Sequence, residues 1–265
     1  MIILSEYSKW LEVNGKSKTT IEQYSQQIRD FLSKIKLEDI SEKTIITYLL
    51  ELKNKYAPKT VNLYRTAIKS FLDYLKKDVP IPKQLKIEQK LPEFITLKYF
   101  ESNVIPMIDL IFENPLKIKT IMYFMFFTGL RVGEISLLKR KYFNLKERTV
   151  KIFSPKTKKE RIIFYNKKTR NLLDMYFGTT PESKNAFNTE TSSIKGYFKR
   201  LKPYFKDINF HAHLLRHSFA NHFLVNKGEI SILKELLGHA SIQSTMRYAG
   251  LNQEQLKKKY DEFIK

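Results

Sequence analysis

Near its C-terminus the sequence reads His213-Leu-Leu-Arg216, then Gly238-His239, then Tyr248. Upstream, Arg131 stands in Thr128-Gly-Leu-Arg131-Val-Gly-Glu134. Two guanidinium groups, two imidazoles and a phenol are what a site would need to attack a phosphodiester without a metal. Arg keeps its charge at any working pH and can fork onto two phosphate oxygens. His can share or move a proton near neutrality. A phenol can form a covalent link to phosphorus.

The spacing asks for particular elements. If 213–224 is helical, Leu215, Phe219 and Phe223 fall at i, i+4 and i+8 and make a buried stripe. His213 and Arg216, at i and i+3, then project together from a neighbouring face. Ile230 to Leu237 reads as a short amphipathic helix closed by Gly238, with His239 just past the closure. Ser241 can cap a last helix holding Tyr248. Each signal also has a plainer reading. His-x-x-Arg describes a surface Arg beside a packed His, Gly-His describes a helix stop, and Tyr248 is one of fifteen tyrosines. Glu134, three residues after Arg131, could orient that Arg or be an ordinary surface charge.

The five histidines are 211, 213, 217, 222 and 239. His213 and His217, at i and i+4, could share a zinc ion. However, the residues between them are Leu214, Leu215 and Arg216, without the Glu of zinc-hydrolase helices and with a cation that opposes a second cation. No metal site is expected, and His217 and His222 read as structural.

The rest of the chain supplies the scaffold. Residues 1–78 read as four short amphipathic helices forming a small bundle. Thr19-Thr-Ile-Glu22 has a capping-box pattern, followed by Ile21, Tyr24, Ile28, Phe31, Leu32 and Ile35 at helical spacing. A third helix runs from about Ser41 to Lys55. A fourth starts at Pro58, with Val61, Tyr64, Ile68, Phe71, Leu72 and Leu75 on one face. Residues 79–92, rich in proline and poor in periodicity, read as a linker. A second domain covers 93–265. In it Thr96 caps a short helix that should stop before Pro106, and another helix covers roughly 115–129, ending at Gly129. A further short helix spans Glu134 to Leu138. Ile121-Met-Tyr-Phe-Met-Phe-Phe is too short to cross a bilayer and reads as buried helix. Thr149-Val-Lys-Ile-Phe and Arg161-Ile-Ile-Phe-Tyr read as a β-hairpin. Lys156, Lys158, Lys159 and Arg161 crowd its turn, either as a solvated loop or as a basic finger reaching a phosphate or a base edge. The remainder returns to helix.

Net charge is +21. Residues 1–80 carry +4 of it and residues 81–265 carry +17, so the excess lies with the candidate chemistry. A polyanion is the simplest partner, and DNA or RNA the commonest polyanion; a generally Lys-rich proteome is the plainer source of the same charge. There are no cysteines, which excludes disulfides, thiolate chemistry and Cys-based zinc sites. The first residues lack a basic region followed by a long apolar stretch, so no signal peptide is expected, and the chain reads as soluble and cytoplasmic.

Order and spacing together are more specific than any one signal. The Thr128–Glu134 motif, a Lys in a hairpin turn, His213-Leu-Leu-Arg216-His-Ser-Phe-Ala-Asn-His, Leu237-Gly-His239 and then Tyr248 resemble the tyrosine recombinase (phage integrase) family. The likeness is greatest to its small Xer type and covers almost the whole chain. The resemblance implies a mainly α fold with a small β-hairpin or sheet, in which a four-helix SAM-like core-binding domain precedes a tyrosine recombinase catalytic domain. It implies Tyr248 as nucleophile, with Arg131, Lys156, His213, Arg216 and His239 completing the active site. Pro155-Lys-Thr-Lys-Lys-Glu-Arg161 resembles the family's Gly-Lys-Gly-x-Lys-Glu-Arg, favouring Lys156 over Lys158 or Lys159, although Pro155 stands where Gly is usual.

The implied activity is site-specific cutting and rejoining of DNA strands through a 3′-phosphotyrosyl intermediate and a Holliday junction, with no metal, cofactor or ATP. The implied partner is duplex DNA with an inverted-repeat site, gripped by both domains. A tail helix at about 252–265, with Leu256, Tyr260 and Phe263 on one face, would pack into a neighbour and build a homotetramer on two sites. Packing on its own domain is the alternative. Lack of a further arm-binding domain points to chromosome or plasmid dimer resolution, with a DNA translocase as a candidate activator. A mobile-element integrase or excisionase, a type IB topoisomerase and a non-catalytic DNA-binding relative are the competing readings.

Overall fold

The computed structural model describes residues 2–88, 91–154, 159–181, 185–238 and 243–246. The chain divides into two compact units, Met1–Gln89 and Lys90–Lys265.

The N-terminal unit is built from α1 (Ile2–Val13), α2 (Lys18–Leu32), α3 (Glu42–Lys55) and α4 (Pro58–Leu75). Tyr7 and Leu11 of α1, Ile28 and Phe31 of α2, Ile45 of α3, and Ile68 and Phe71 of α4 are fully or almost fully buried in a common core. Helical periodicity therefore located the core faces correctly. The start of α2 differs from expectation. Ser17, in extended backbone, caps the helix by accepting from the Thr20 N–H at 3.2 Å, so Thr19 and Glu22 lie inside the helix and form no box. The box occurs at α3. There the Thr44 N–H donates to Ser41 Oγ at 3.3 Å and the Ser41 N–H donates to Thr44 Oγ1 at 2.9 Å. Pro58 opens α4, where the missing N–H has no intrahelical partner to lose.

The proline-rich stretch after α4 is not uniformly free chain. Val79, Ile81 and Leu85 pack against the N-terminal core. The Asn62 side chain pairs with the backbone of Leu85 in both directions, donating to its carbonyl at 2.9 Å and accepting from its N–H at 2.8 Å. Arg65 Nε donates to the Pro82 carbonyl.

The C-terminal unit is organised around α7 (Pro115–Thr128), which beyond Lys119 is apolar on nearly all sides. Ile121, Met122, Phe124, Met125 and Phe126 are essentially inaccessible to solvent. A helix apolar all round must be surrounded; α9 (Lys167–Thr179) and α11 (Ala212–Val225) pack on it. Gly129 ends α7 at φ +63°, the left-handed closure that glycine adopts without penalty. A β-carbon at Gly129 would stand 2.5 Å from the Phe219 ring of α11, so the residue also sets how closely the two helices approach.

Before α7, the sequence expectation of a helix stopping short of Pro106 is corrected. Thr96 caps α5 (Leu97–Tyr99) as expected, by accepting from the Tyr99 N–H. The chain then continues helically through a π segment, Phe100–Val104, into α6 (Ile105–Ile111). An α-helical proline clashes with the carbonyl four residues earlier. Widening the preceding turn, so that the Ile105 N–H reaches the Phe100 carbonyl, admits Pro106 without a break. A second correction concerns the next helix: α8 spans Val132–Ile135, earlier and shorter than 134–138.

The sheet has order β1-β2-β3 and is antiparallel throughout. β2 (Thr149–Ser154) and β3 (Lys159–Phe164) form the expected hairpin, with Val150 opposite Ile163 and Ile152 opposite Arg161. β1 (Phe143–Asn144) is an additional edge strand too short to leave a pattern in the sequence. Val150, Ile152 and Ile163 face the core, while Phe153, Ile162 and Phe164 face outward. α10 (Thr191–Leu201), α12 (Ile230–Leu237) and α13 (Gln243–Met246) complete the described elements. Among the described residues no helix is long and apolar enough to cross a membrane.

The Asn62 amide clasp is testable. Asn62→Ala removes both hydrogen bonds to Leu85, each contributing about 1 kcal/mol net. Urea unfolding of the N-terminal unit, followed by the fluorescence of Trp10, is expected to shift by about 2 kcal/mol. Proteolytic cleavage in the 79–88 stretch is expected to become faster.

Candidate active site

Arg131 lies two residues after the glycine closure of α7 and is the N-cap residue of α8. Its N–H donates to Glu134 Oε2 at 2.9 Å, so the carboxylate of the third helical residue satisfies an N–H at the helix start. Glu134 is almost fully buried. Its other oxygen, Oε1, accepts from Arg161 Nη1 at 2.9 Å and lies 3.5 Å from Arg131 Nη1. Burial alone would raise the Glu134 carboxyl. The Arg161 hydrogen bond and charge, followed by the Arg131 N–H and charge, outweigh that and hold it below the usual carboxylate range.

Arg216 comes from α11 and is also buried. Its Nη1 donates to the Gly129 carbonyl at 2.6 Å and its Nη2 to the Leu237 carbonyl at 2.8 Å. These carbonyls lie where α7 and α12 end, at the negative poles of both helices, where a cation is favoured. Arg216 thus fastens two helix termini, and one of them lies two residues before Arg131. His213, one turn earlier on α11, is exposed. His211 and His217 flank it, each with its ring centroid 6.4 Å away. The structure therefore joins Arg131 to Arg216 through the α7 closure and places His213 on the solvent side of the helix that carries Arg216. Lys156, His239 and Tyr248 lie outside the described residues, as do Lys158, Ser241 and the 252–265 tail.

Two participants were not singled out from the sequence. Arg161 was grouped with the basic turn, but its side chain points inward on β3 and is only 15% exposed. Its Nε donates to the Leu236 carbonyl at 3.3 Å. Strand alternation carried this signal: Arg161, Ile163 and Tyr165 share one face, and Ile163 and Tyr165 are buried. His211 is the N-cap of α11, its Nδ1 accepting from the Leu214 N–H at 3.0 Å. A histidine is not among the favoured capping residues, so composition did not point to it. His222 does serve structurally. It packs against the rings of Phe126 and Phe127, and burial lowers its pKa.

Chemically, the guanidinium groups of Arg131 and Arg161 meet at one buried carboxylate, and Arg216 is held on the adjacent helix ends. Arg131 Nη1 is buried and has no hydrogen-bond acceptor among the described residues. A cationic surplus with a buried donor left unsatisfied suits an anionic ligand with several oxygens, such as a phosphodiester.

Removing Glu134 strands two partly buried cations, Arg131 and Arg161. Glu134→Ala is expected to destabilise the C-terminal unit by about 3 kcal/mol or more, seen as an earlier far-UV CD transition in urea while Trp10 fluorescence, reporting the other unit, is unmoved. Because the folded-state pKa is lowered, this contribution is complete above the unfolded carboxylate value of ~4.3. It fades only as pH falls through the lowered one, so the gap between wild type and Glu134→Gln should narrow in acid. His211→Ala is expected to cost about 1 kcal/mol, with His211→Ser or His211→Asn recovering most of it.

Comparison with known proteins agrees with this geometry. Residues 99–255 match the phage integrase family, and residues 3–81 match the phage integrase N-terminal SAM-like domain. The chain is 31% identical over 269 residues to the tyrosine recombinase XerA of Pyrococcus furiosus, covering 96% of this chain and 91% of the relative. It is 28% identical over 294 residues to the tyrosine recombinase XerD of Staphylococcus haemolyticus, covering 98% of each. Its fold is similar to a crystal structure of the XerH site-specific recombinase bound to a difH substrate, with TM-score 0.70 at 20% identity over 89% of this chain and 78% of that one. The chain therefore belongs to the phage integrase family, the tyrosine recombinases, with that family's SAM-like unit ahead of its catalytic unit.

Proposed function

We propose that this chain is a site-specific DNA recombinase that exchanges strands through a tyrosyl–phosphate link. The observation that carries the reading is the Arg131–Arg216 pair, tied through the α7 closure, with a buried Arg131 donor lacking an acceptor among the described residues. In this reading the Tyr248 phenol attacks the scissile phosphorus. The bond from phosphorus to the 5′ oxygen breaks, giving a 3′-phosphotyrosyl link and a free 5′-hydroxyl. Arg131 and Arg216 stabilise the charge on the non-bridging oxygens. His213 takes the phenolic proton, His239 hydrogen-bonds the phosphate, and Lys156 protonates the leaving oxygen. The link keeps the phosphodiester energy, so the 5′-hydroxyl of another strand can reseal it in the reverse reaction.

Three other tyrosines of the catalytic unit are set aside as nucleophiles by their environment. Tyr123, Tyr165 and Tyr176 of the catalytic unit are buried. Burial pushes the Tyr165 phenol up to about 12, and its hydroxyl donates to the Asn144 carbonyl. Tyr176 donates to the Phe187 carbonyl. These are core residues unsuited to attack. Within the same proposal, the chain acts in the cytoplasm as a homotetramer joined by its C-terminal segment, on duplex sites of inverted-repeat form. Its role is Xer-like dimer resolution.

The test uses a duplex site selected by the protein from a random library and then nicked beside the cleavage point, so that the released fragment diffuses away. Wild type is expected to leave a protease-sensitive covalent protein–DNA adduct in EDTA, and Tyr248→Phe none. Arg131→Ala and Arg216→Ala should each slow adduct formation by roughly a hundredfold or more. No adduct from wild type, or an equal one from Tyr248→Phe, overturns the proposal.

A further inference from the structure

We propose that Arg161, on β3, is a positioning residue for this reaction, holding Arg131 and the end of α12 in working register without itself contacting DNA. The inference rests on the recombinase reading above. Arg161 reaches two parts of the catalytic unit that Arg216 also ties together, through the α7 closure. Nη1 donates at 2.9 Å to Glu134, the carboxylate that fixes the Arg131 backbone. Nε donates at 3.3 Å to the Leu236 carbonyl, next to the Leu237 carbonyl held by Arg216. One guanidinium therefore links the strand after the basic turn, the Arg131 turn and the helix end that leads into residue 239.

Two further features fit a positioning role. Gly238 sits at φ +61°, and a β-carbon there would lie 2.7 Å from Arg161 Nη1. The closure of α12 is therefore shaped to let the guanidinium lie against backbone. The side chain is mostly buried on the inner face of the hairpin, opposite Ile152. A residue recruited for backbone phosphates would be expected on the outward face, where Lys151 and Glu160 form an exposed ion pair. The planar fork matters as well. A lysine could hold Glu134 but could not reach the Leu236 carbonyl with a second N–H of fixed direction.

The experiment measures two quantities on the nicked duplex described above. One is the rate of adduct formation at saturating protein. The other is affinity for the intact duplex and its log–log dependence on salt, read by fluorescence anisotropy. For Arg161→Gln the saturated rate is expected to fall roughly tenfold to a hundredfold, with affinity and salt slope unchanged. The Arg161→Gln, Glu134→Gln double variant should be no slower than the slower single variant, because both act through one contact. Should Arg161→Gln fail to fold, a folded Arg161→Lys, which keeps the charge and loses the fork, is expected to show the same selective fall in rate.

A salt slope reduced by about one, with weaker binding, would make Arg161 a direct phosphate contact and overturn the proposal. So would unchanged rates in Arg161→Gln, or in Arg161→Lys where that variant stands in. A wild-type chain that forms no adduct removes the recombinase reading and this inference together. A wild-type adduct with unaltered variant rates removes this inference alone.

Discussion

The buried carboxylate of Glu134 is the interaction on which the arginine cluster depends. Gathering guanidinium groups in a partly dry site is unfavourable, because each loses hydration and repels the others. Glu134 offsets both effects with two oxygens used differently. One terminates the turn that displays Arg131, and the other holds Arg161. Its depressed titration follows from this surrounding, and it means that the anion persists wherever the protein is folded near neutrality. Arg216 is compensated by a different device. Its two terminal nitrogens rest on carbonyls at the ends of α7 and α12. Helix ends can orient a guanidinium without neutralising it.

Glycine makes this geometry accessible. Both α7 and α12 end in a left-handed glycine, and at both the missing β-carbon leaves space that a neighbour occupies. At Gly129 the neighbour is the Phe219 ring, and at Gly238 it is the Arg161 guanidinium. The same sequence feature therefore serves packing at one helix end and electrostatics at the other. The surplus charge of residues 81–265 belongs to the same logic. A catalytic unit that retains uncompensated cations in folding is stabilised when a polyanion supplies the missing charge, so binding energy and active-site completion come from one source.

The parts legible in the sequence were those governed by short-range rules. The helices of the N-terminal unit follow from apolar spacing, α7 from the apolar run Ile121–Phe127, the hairpin from alternation, and the two glycine closures from position. What escaped depended on partners distant in sequence or on local geometry with little compositional signature. The passage of helix through Pro106 needed a π turn that no residue type announces. The start of α2 at Ser17 was displaced because two threonines offered an equally good capping pattern two residues on. Among the candidate site residues, the motifs named Arg131, His213 and Arg216, but not what holds them. The contacts of Arg216 reach 87 residues back to Gly129 and 21 forward to Leu237. Arg161 was read with the lysines beside it, although strand parity puts it on the inner face with Ile163.

A division of labour among arginines follows. Metal-free attack on a phosphodiester needs positive charge that neither titrates nor drifts. Guanidinium supplies the first property intrinsically and the second only if its donors are anchored. An arginine with every donor anchored cannot bind substrate, and one with none anchored is not preorganised. Arg161 lies nearer the first limit, with Nη1 and Nε committed to Glu134 and Leu236 and its buried Nη2 without an acceptor among the described residues. Arg131 lies between the limits, fixed through its backbone while Nη1 stands 3.5 Å from Glu134, too far for a full hydrogen bond. A phosphate oxygen offering a shorter acceptor could therefore draw that nitrogen without dismantling the turn. His213, exposed on the helix that carries Arg216, is the residue type whose charge changes in the working pH range. In the proposed reaction, fixed cations at the phosphate and an imidazole beside them would separate charge stabilisation from proton transfer and keep those tasks on different side chains.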